Sequence, residues 1–159
     1  MPVWFMSPTT AHALRLGGLL LAGSLSGSLA AAFVLRDGAG RNWALQDHLG
    51  RERLLLVVNP SAAYLDAVRR QDAALQVRDL RVVALLAPGD ARLNRAPSLM
   101  LSLLADPGGK VGAQYGPASL LGKDGTIKAF YRSPPALGAV MATVDQMPMR
   151  VQERRTRGQ

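Results

Sequence analysis

The sequence predicts an α/β sandwich, a mixed central sheet flanked by helices, on three observations. Two unbroken aliphatic runs, LLLVV at residues 54–58 and VVALLA at 82–87, have the length and composition of strands covered on both faces. The stretch between them has helical spacing, so the pair forms a parallel β-α-β unit. Further on, a hairpin signal precedes an amphipathic segment that closes the domain.

Taken in order, residues 33–45 carry apolar positions on either side of a Gly-containing turn, as a short hairpin requires. Residues 47–53 read as a polar link to the first central strand. Residues 61–79 suit a helix whose buried side includes Leu65, Val68 and Leu75. Residues 81–87 form the second central strand, and the Pro- and Gly-containing stretch 88–97 is a loop. Residues 99–105 predict a third strand, ended by the turn Asp106-Pro-Gly-Gly. Residues 110–115 predict a short helix stopping at Gly116. In SLLGKDGTIKAFY, residues 119–131, Asp124-Gly125 supplies the positive-φ turn of a hairpin. Ser133-Pro-Pro is expected to start the last helix and Pro148 to stop it. Leu137, Val140, Met141, Val144 and Met147 would share its buried face, a methionine stripe that reads as core and not as a cofactor site.

Composition limits what such a domain can do. The 159 residues allow one domain of ordinary size, and 48% hydrophobic against 19% charged residues is enough to bury a core. There is no cysteine, which removes disulfides, thiolate zinc sites and thiol catalysis together. The formal charge of +8 is carried mostly by arginine, but residues 31–149 hold 14 bases against 10 acids, with no basic block and few aromatics. That pattern does not fit a nucleic-acid surface. Residues 150–159, with Arg150, Arg154, Arg155 and Arg157, read as a frayed basic tail.

The first 30 residues differ from the rest. Residues 16–34 carry no charge, and Arg15 precedes a leucine cluster that ends at the small-x-small triplet Ser28-Leu29-Ala30. This is the form of a signal peptide cleaved after Ala30, which would make residues 31–149 a periplasmic or secreted domain. The alternative is an uncleaved inner-membrane anchor, since the uncharged run is about long enough to span a bilayer. It would be the chain's only membrane contact.

Several familiar chemistries find no support. A nucleophilic Ser61 would need a base, and outside the leader His48 is the only histidine, read as a surface residue near Asp47. One histidine and no calcium-loop spacing leave no metal site, and neither GAG at 38–40 nor PGGKVG at 107–112 has the context of a phosphate loop. No cofactor is expected.

Ordered matches along the chain carry a resemblance. The opening F-x-L-x-D-x-x-G with LQDHLGRERLLLVVNPS, then ADPGGKVGAQYG and LLGKDGTIKAF, resembles peroxiredoxins and related thioredoxin-like proteins. The closing LLGKDGTIKAFYRSP and VDQMPMRVQE resemble the bacterial family called domain of unknown function 4174. The resemblance implies a thioredoxin-like sandwich. It does not carry the activity across, because the turn at residues 59–65, NPSAAYL, has no thiol where a peroxiredoxin holds its cysteine.

What remains is a non-catalytic module that binds a protein, peptide or small ligand at that turn. Asn59, Pro60, Ser61, Tyr64 and Arg132 are the candidate binding residues, Ser61 as a helix cap and Tyr64 offering a ring and a hydroxyl to a partner. Failing that turn, a basic surface around Lys128, Arg132 and Arg150 is the next candidate. The alternative is an enzyme of a cysteine-independent type, whose groups meet only in three dimensions.

Overall fold

The computed structural model describes residues 27–96 and 98–158, so the leader up to residue 26 lies outside the described residues. Seven strands form one mixed sheet: β1 (Val34–Asp37), β2 (Asn42–Ala44), β3 (Arg53–Val58), β4 (Leu80–Leu86), β5 (Leu101–Ala105), β6 (Ala118–Leu121) and β7 (Ile127–Tyr131). Their spatial order is β2-β1-β5-β4-β3-β6-β7. The two aliphatic runs lie at the centre as expected, β3 parallel to β4 with Leu55 beside Val82. Among the described residues five α-helices accompany the sheet: α1 (Ala62–Arg70), α2 (Asp72–Gln76), α3 (Lys110–Tyr115), α4 (Leu137–Asp145) and α5 (Pro148–Arg157).

Alternation along the central strands sends side chains to two cores. Leu55, Val57, Val82 and Ala84 meet Leu65, Val68 and Leu75 of α1 and α2 and Val140 and Val144 of α4. Leu54, Leu56, Val83 and Leu85 meet Val111 and Tyr115 of α3, with Leu45 from the first hairpin connection. Both faces are covered, which is why these strands read as continuous apolar runs. The hairpin turn is placed as expected, with Gly125 at φ 75°.

The structure corrects four expectations. The helix over 61–79 is two helices broken at Gln71, whose φ of −105° and ψ of 14° leave the helical region. Ser133 does not cap the last helix. Residues that precede proline are pushed to extended backbone, so Ser133 and Pro134 stay outside it, and α4 begins at Leu137 after Ala136. Pro148 starts a helix instead of only stopping one. It occupies the first turn of α5, where its missing N–H is not needed, and Met147 takes the cap position while packing against the first core.

The fourth correction concerns the expected frayed tail, which is helix α5. Arg150, expected on a basic surface, is 2% exposed, and Arg53, expected in a polar link, is 1% exposed. Glu153 accepts two hydrogen bonds from Arg53 at 3.3 Å and one from Lys123 at 2.7 Å. Lys123 also pairs with Asp79 at 2.8 Å, and Arg157 reaches the same carboxylate at 3.2 Å. Arg78 binds Asp145 through two nitrogens, while Arg150 approaches Asp145 and Glu153 at 3.6 and 3.9 Å. Burial would raise the Asp145 and Glu153 carboxyls, but the cations beside them outweigh it and hold both below the usual range. This network fastens α5 across the amino ends of β3 and β4.

The same end receives the N-terminal segment. Leu29 bridges antiparallel to Thr126, with Ala30 N–H donating to the Gly125 carbonyl and Ile127 N–H to the Ser28 carbonyl. Residues 28–30 therefore extend the edge of the β6–β7 hairpin, and Ala30 is 8% exposed. Cleavage after Ala30 would remove this pairing.

Candidate functional site

The turn after β3 lies at the carboxyl end of the sheet, where open α/β folds place their ligand clefts. Asn59 adopts a left-handed φ of 48°, a conformation asparagine tolerates better than most residues, and this turns the chain out of the sheet. Pro60 is buried and Ser61 exposed. Ser61 caps α1, its Oγ accepting from Tyr64 N–H at 3.1 Å, as expected of a serine in that position. Ala62 and Ala63 stand exposed in the first helical turn, where a thiol enzyme of this layout would offer its nucleophile.

A neighbouring cation closes the turn from the β4–β5 connection. Asp90 caps a single 3-10 turn, Ala91–Asn94, and both its oxygens hold Arg92. The Arg92 guanidinium then donates to the Pro60 carbonyl at 2.5 Å and to Asn59 Oδ1 at 2.6 Å. The bonds from Arg92 keep the Asp90 carboxyl at about 2. Positive charge beside a helix N-terminus would lower the pKa of a thiol, but here the guanidinium is already spent on four acceptors. Sequence reasoning missed Arg92. The only local sign was Asp90 two residues before an arginine, a short-range capping pattern.

The Tyr64 hydroxyl, expected to face a partner, donates within the domain. The ring packs against the first core, and the hydroxyl donates to the Pro135 carbonyl at 2.8 Å. Burial, with Tyr131 nearby, pushes the phenol up to about 12. Arg132 follows β7 at this same end of the sheet, since Tyr131 pairs with Ala118 and the Val58 N–H binds the neighbouring Pro117 carbonyl. It is exposed and makes no hydrogen bond or ion pair among the described residues. The structure thus brings Asn59, Pro60, Ser61 and Tyr64 together, with Arg132 at the rim. Asn59 and Tyr64 are already bonded internally.

A second concavity runs beside β5. On β5, β1 pairs only with Leu104 and Ala105, so residues 101–103 have no β1 partner, and a cleft of about 490 Å³ opens along them. His48 lies in it, not as a free surface residue near Asp47 but stacked on Trp43 at 4.3 Å and bonded through Nδ1 to Glu52 at 2.8 Å. Arg81 also grips Glu52, at 2.7 and 2.9 Å, and donates to Ser102 Oγ at 3.3 Å. Burial alone would raise the Glu52 carboxyl, but the bonds from His48 and Arg81 outweigh it and hold it at about 2. Ser102 is thus bonded to the Arg81 guanidinium, and no hydrogen bond joins it to His48 among the described residues. Among the described residues, no group of histidine and carboxylate side chains is placed to hold a metal ion.

Comparison with known proteins fits this geometry. A family model described as "Domain of unknown function (DUF4174)" matches residues 44–153, from the end of β2 to the glutamate that fastens α5. The chain belongs to the DUF4174 family. No curated protein matches it. Among solved structures, the peroxidoxin BcpB of Mycobacterium tuberculosis aligns with a TM-score of 0.65 at 18% identity, covering 76% of this chain and 96% of that one. The exposed lipoprotein thioredoxin Etrx1 of Streptococcus pneumoniae aligns at 0.56 and 20% identity, over 74% of this chain and all of that one. The 2-Cys peroxiredoxin of Plasmodium vivax aligns at 0.62 and 13% identity, over 83% and 84%. At these identities the likeness is one of fold. This DUF4174 member is a thioredoxin-like domain without a cysteine.

Proposed function

We propose that this DUF4174 domain is a non-catalytic thioredoxin-like module that acts outside the cytoplasm and binds a protein, peptide or small ligand at the carboxyl end of its central strands, a protein or peptide being the occupant tested below. The observation that carries the reading is the state of the turn after β3. No thiol is present, and the cation that could have activated one is bonded to Asp90, Pro60 and Asn59. The turn is braced by Arg92, and Ser61, Ala62, Ala63 and Arg132 stand exposed around it, side chains that a macromolecular partner could contact. Export is supported by the charge-free leader and is in keeping with the exposed lipoprotein among the structural relatives.

The test is affinity capture from periplasmic extract by the full chain and by Arg132→Glu, with mass spectrometry of what is retained. The reading expects a partner held by the wild type and lost, or weakened about tenfold, in the variant, worth about 1.4 kcal/mol. An identical bound set with both proteins would count against the site.

A second reading rests on His48 and Glu52 in the cleft beside β5, an arrangement that orients an imidazole for proton transfer. It is weaker, because Ser102 is bonded to Arg81 and no hydrogen bond joins it to His48 among the described residues. Labelling of Ser102 by a fluorophosphonate, abolished by His48→Gln, would favour this enzymatic reading.

A further inference from the structure

The amino end of the central strands carries features that the binding reading does not use. The ionic network beneath α5 joins five cations, Arg53, Arg78, Lys123, Arg150 and Arg157, to three carboxylates, a surplus of two positive charges. Arg154 and Arg155 stand exposed on α5 with no ion pair or hydrogen bond among the described residues, which raises the surplus to four. A groove of about 290 Å³ adjoins this network, lined by Arg53, Lys123, Met147, Pro148 and Met149 together with the Lys128–Asp124 ion pair, and Met149 is half exposed. Basic side chains around an exposed apolar residue make a surface that complements anionic headgroups.

The course of the chain points the same way. Residues 28–30 pair with residues 125–127, in the hairpin that also walls this groove. Gly27 lies against the Ile127 carbonyl so closely that an added Cβ would come within 2.7 Å of that oxygen. The 26 residues that precede it, including the uncharged run that begins at Leu16, therefore join the domain at its basic end. A chain held at a bilayer by its leader would meet the lipid with α5 first. The turn after β3 lies at the other end of that six-residue strand, roughly 20 Å away.

We propose that the end of the sheet crossed by α5 docks on an anionic lipid surface, leaving the turn after β3 facing away from the membrane. The absence of native cysteine makes a direct test practical. Single cysteines are placed in the full chain at Gln152→Cys on α5 or Ala63→Cys in the turn, both exposed positions, and each is labelled with a polarity-sensitive dye. The proteins are mixed with phosphatidylglycerol–phosphatidylcholine vesicles or with phosphatidylcholine alone. The proposal expects a response at residue 152 on the anionic vesicles, reduced by raised salt, and none at residue 63. Arg154→Glu with Arg155→Glu should weaken partitioning to anionic vesicles at least about tenfold, while Arg154→Lys with Arg155→Lys retains it. Unchanged melting confirms that the charge-reversed chain is folded, since neither arginine side chain is bonded among the described residues. Leader insertion alone predicts equal responses on both vesicle types, which would overturn the proposal. So would a stronger response at residue 63, or a response to duplex DNA with none to vesicles. Because no partner at the turn is measured, failure here would leave the binding reading intact, and the converse holds for affinity capture.

Discussion

Replacing Glu153 by glutamine tests whether α5 is part of the fold. Its carboxylate takes Lys123 at 2.7 Å and Arg53 twice at 3.3 Å, and Arg150 stands at 3.9 Å. The Arg53, Lys123 and Arg150 side chains are 1%, 9% and 3% exposed, so water cannot replace the lost charge without opening the packing. Stripping a buried ion of its partner costs about 3–5 kcal/mol. Arg53 keeps the Arg78 carbonyl at 2.9 Å and Lys123 keeps Asp79, so about 2–3 kcal/mol is expected here. In a domain of this size that lowers Tm by roughly 6–10 °C. Thermal melts of the full chain followed by circular dichroism would measure it, with Arg154→Ala as a control expected to stay within about 0.5 kcal/mol. Arg53→Met combined with Glu153→Gln should recover part of the loss, since the double variant leaves no unpaired guanidinium at the two Arg53–Glu153 bonds. A Glu153→Gln Tm within about 2 °C of wild type would refute the reasoning and return residues 150–159 to the status of a loose tail.

Three further outcomes follow from the same structure. Glu52 has a carboxyl held at about 2 in the fold against an ordinary 4.5, so its stabilisation is present above that ordinary value and fades as pH falls from about 4.5 to about 2. The amount is on the order of 3 kcal/mol, and denaturant titrations at several pH values should show Glu52→Gln lacking that part of the acid loss; parallel losses would contradict it. Tyr64→Phe should cost about 1 kcal/mol through the lost bond to Pro135 and leave partner capture unchanged, whereas weakened capture would put the hydroxyl back in the binding site. Intact mass of the chain recovered from cells separates the two readings of the leader: cleavage after Ala30 gives a terminus at Ala31 and removes the pairing of residues 28–30 with the hairpin edge, whereas an anchor leaves residues 28–30 in place and would contradict the cleavage reading.

Local signals were enough for much of the fold. Leu54 to Val58 and Val82 to Leu86 announced buried central strands because both of their faces are covered, and Asp124-Gly125 announced a hairpin because few other pairs accept its backbone. The short helix Lys110–Tyr115 and its stop at Gly116, with φ 61°, were equally local. What escaped was set by contacts between residues far apart in sequence. Arg53 reads as part of a polar link until Glu153, 100 residues later, is placed beside it. Helix α5 has few apolar residues to mark a face, since its inward side is Arg150 and Glu153, held by charge, with the exposed Arg157 reaching Asp79. At the candidate site, the Ser61 cap was legible from its position before a helix. The use of Tyr64 by Pro135 and of Asn59 by Arg92 was not, because neither partner is near in the chain.

The central claim is that the turn after β3 is a surface for binding, without a nucleophile. A photoreactive benzoylphenylalanine at Ala63, exposed in the first turn of α1, tests it most directly, with the same group at Gln152 on α5 as the comparison. Irradiation in cells, followed by mass analysis, should give a discrete protein or peptide adduct at residue 63 that is lost when Arg132→Glu is added, and no such adduct at residue 152. Folded chain with the same adducts at both positions, or with an adduct only at residue 152, would contradict the account.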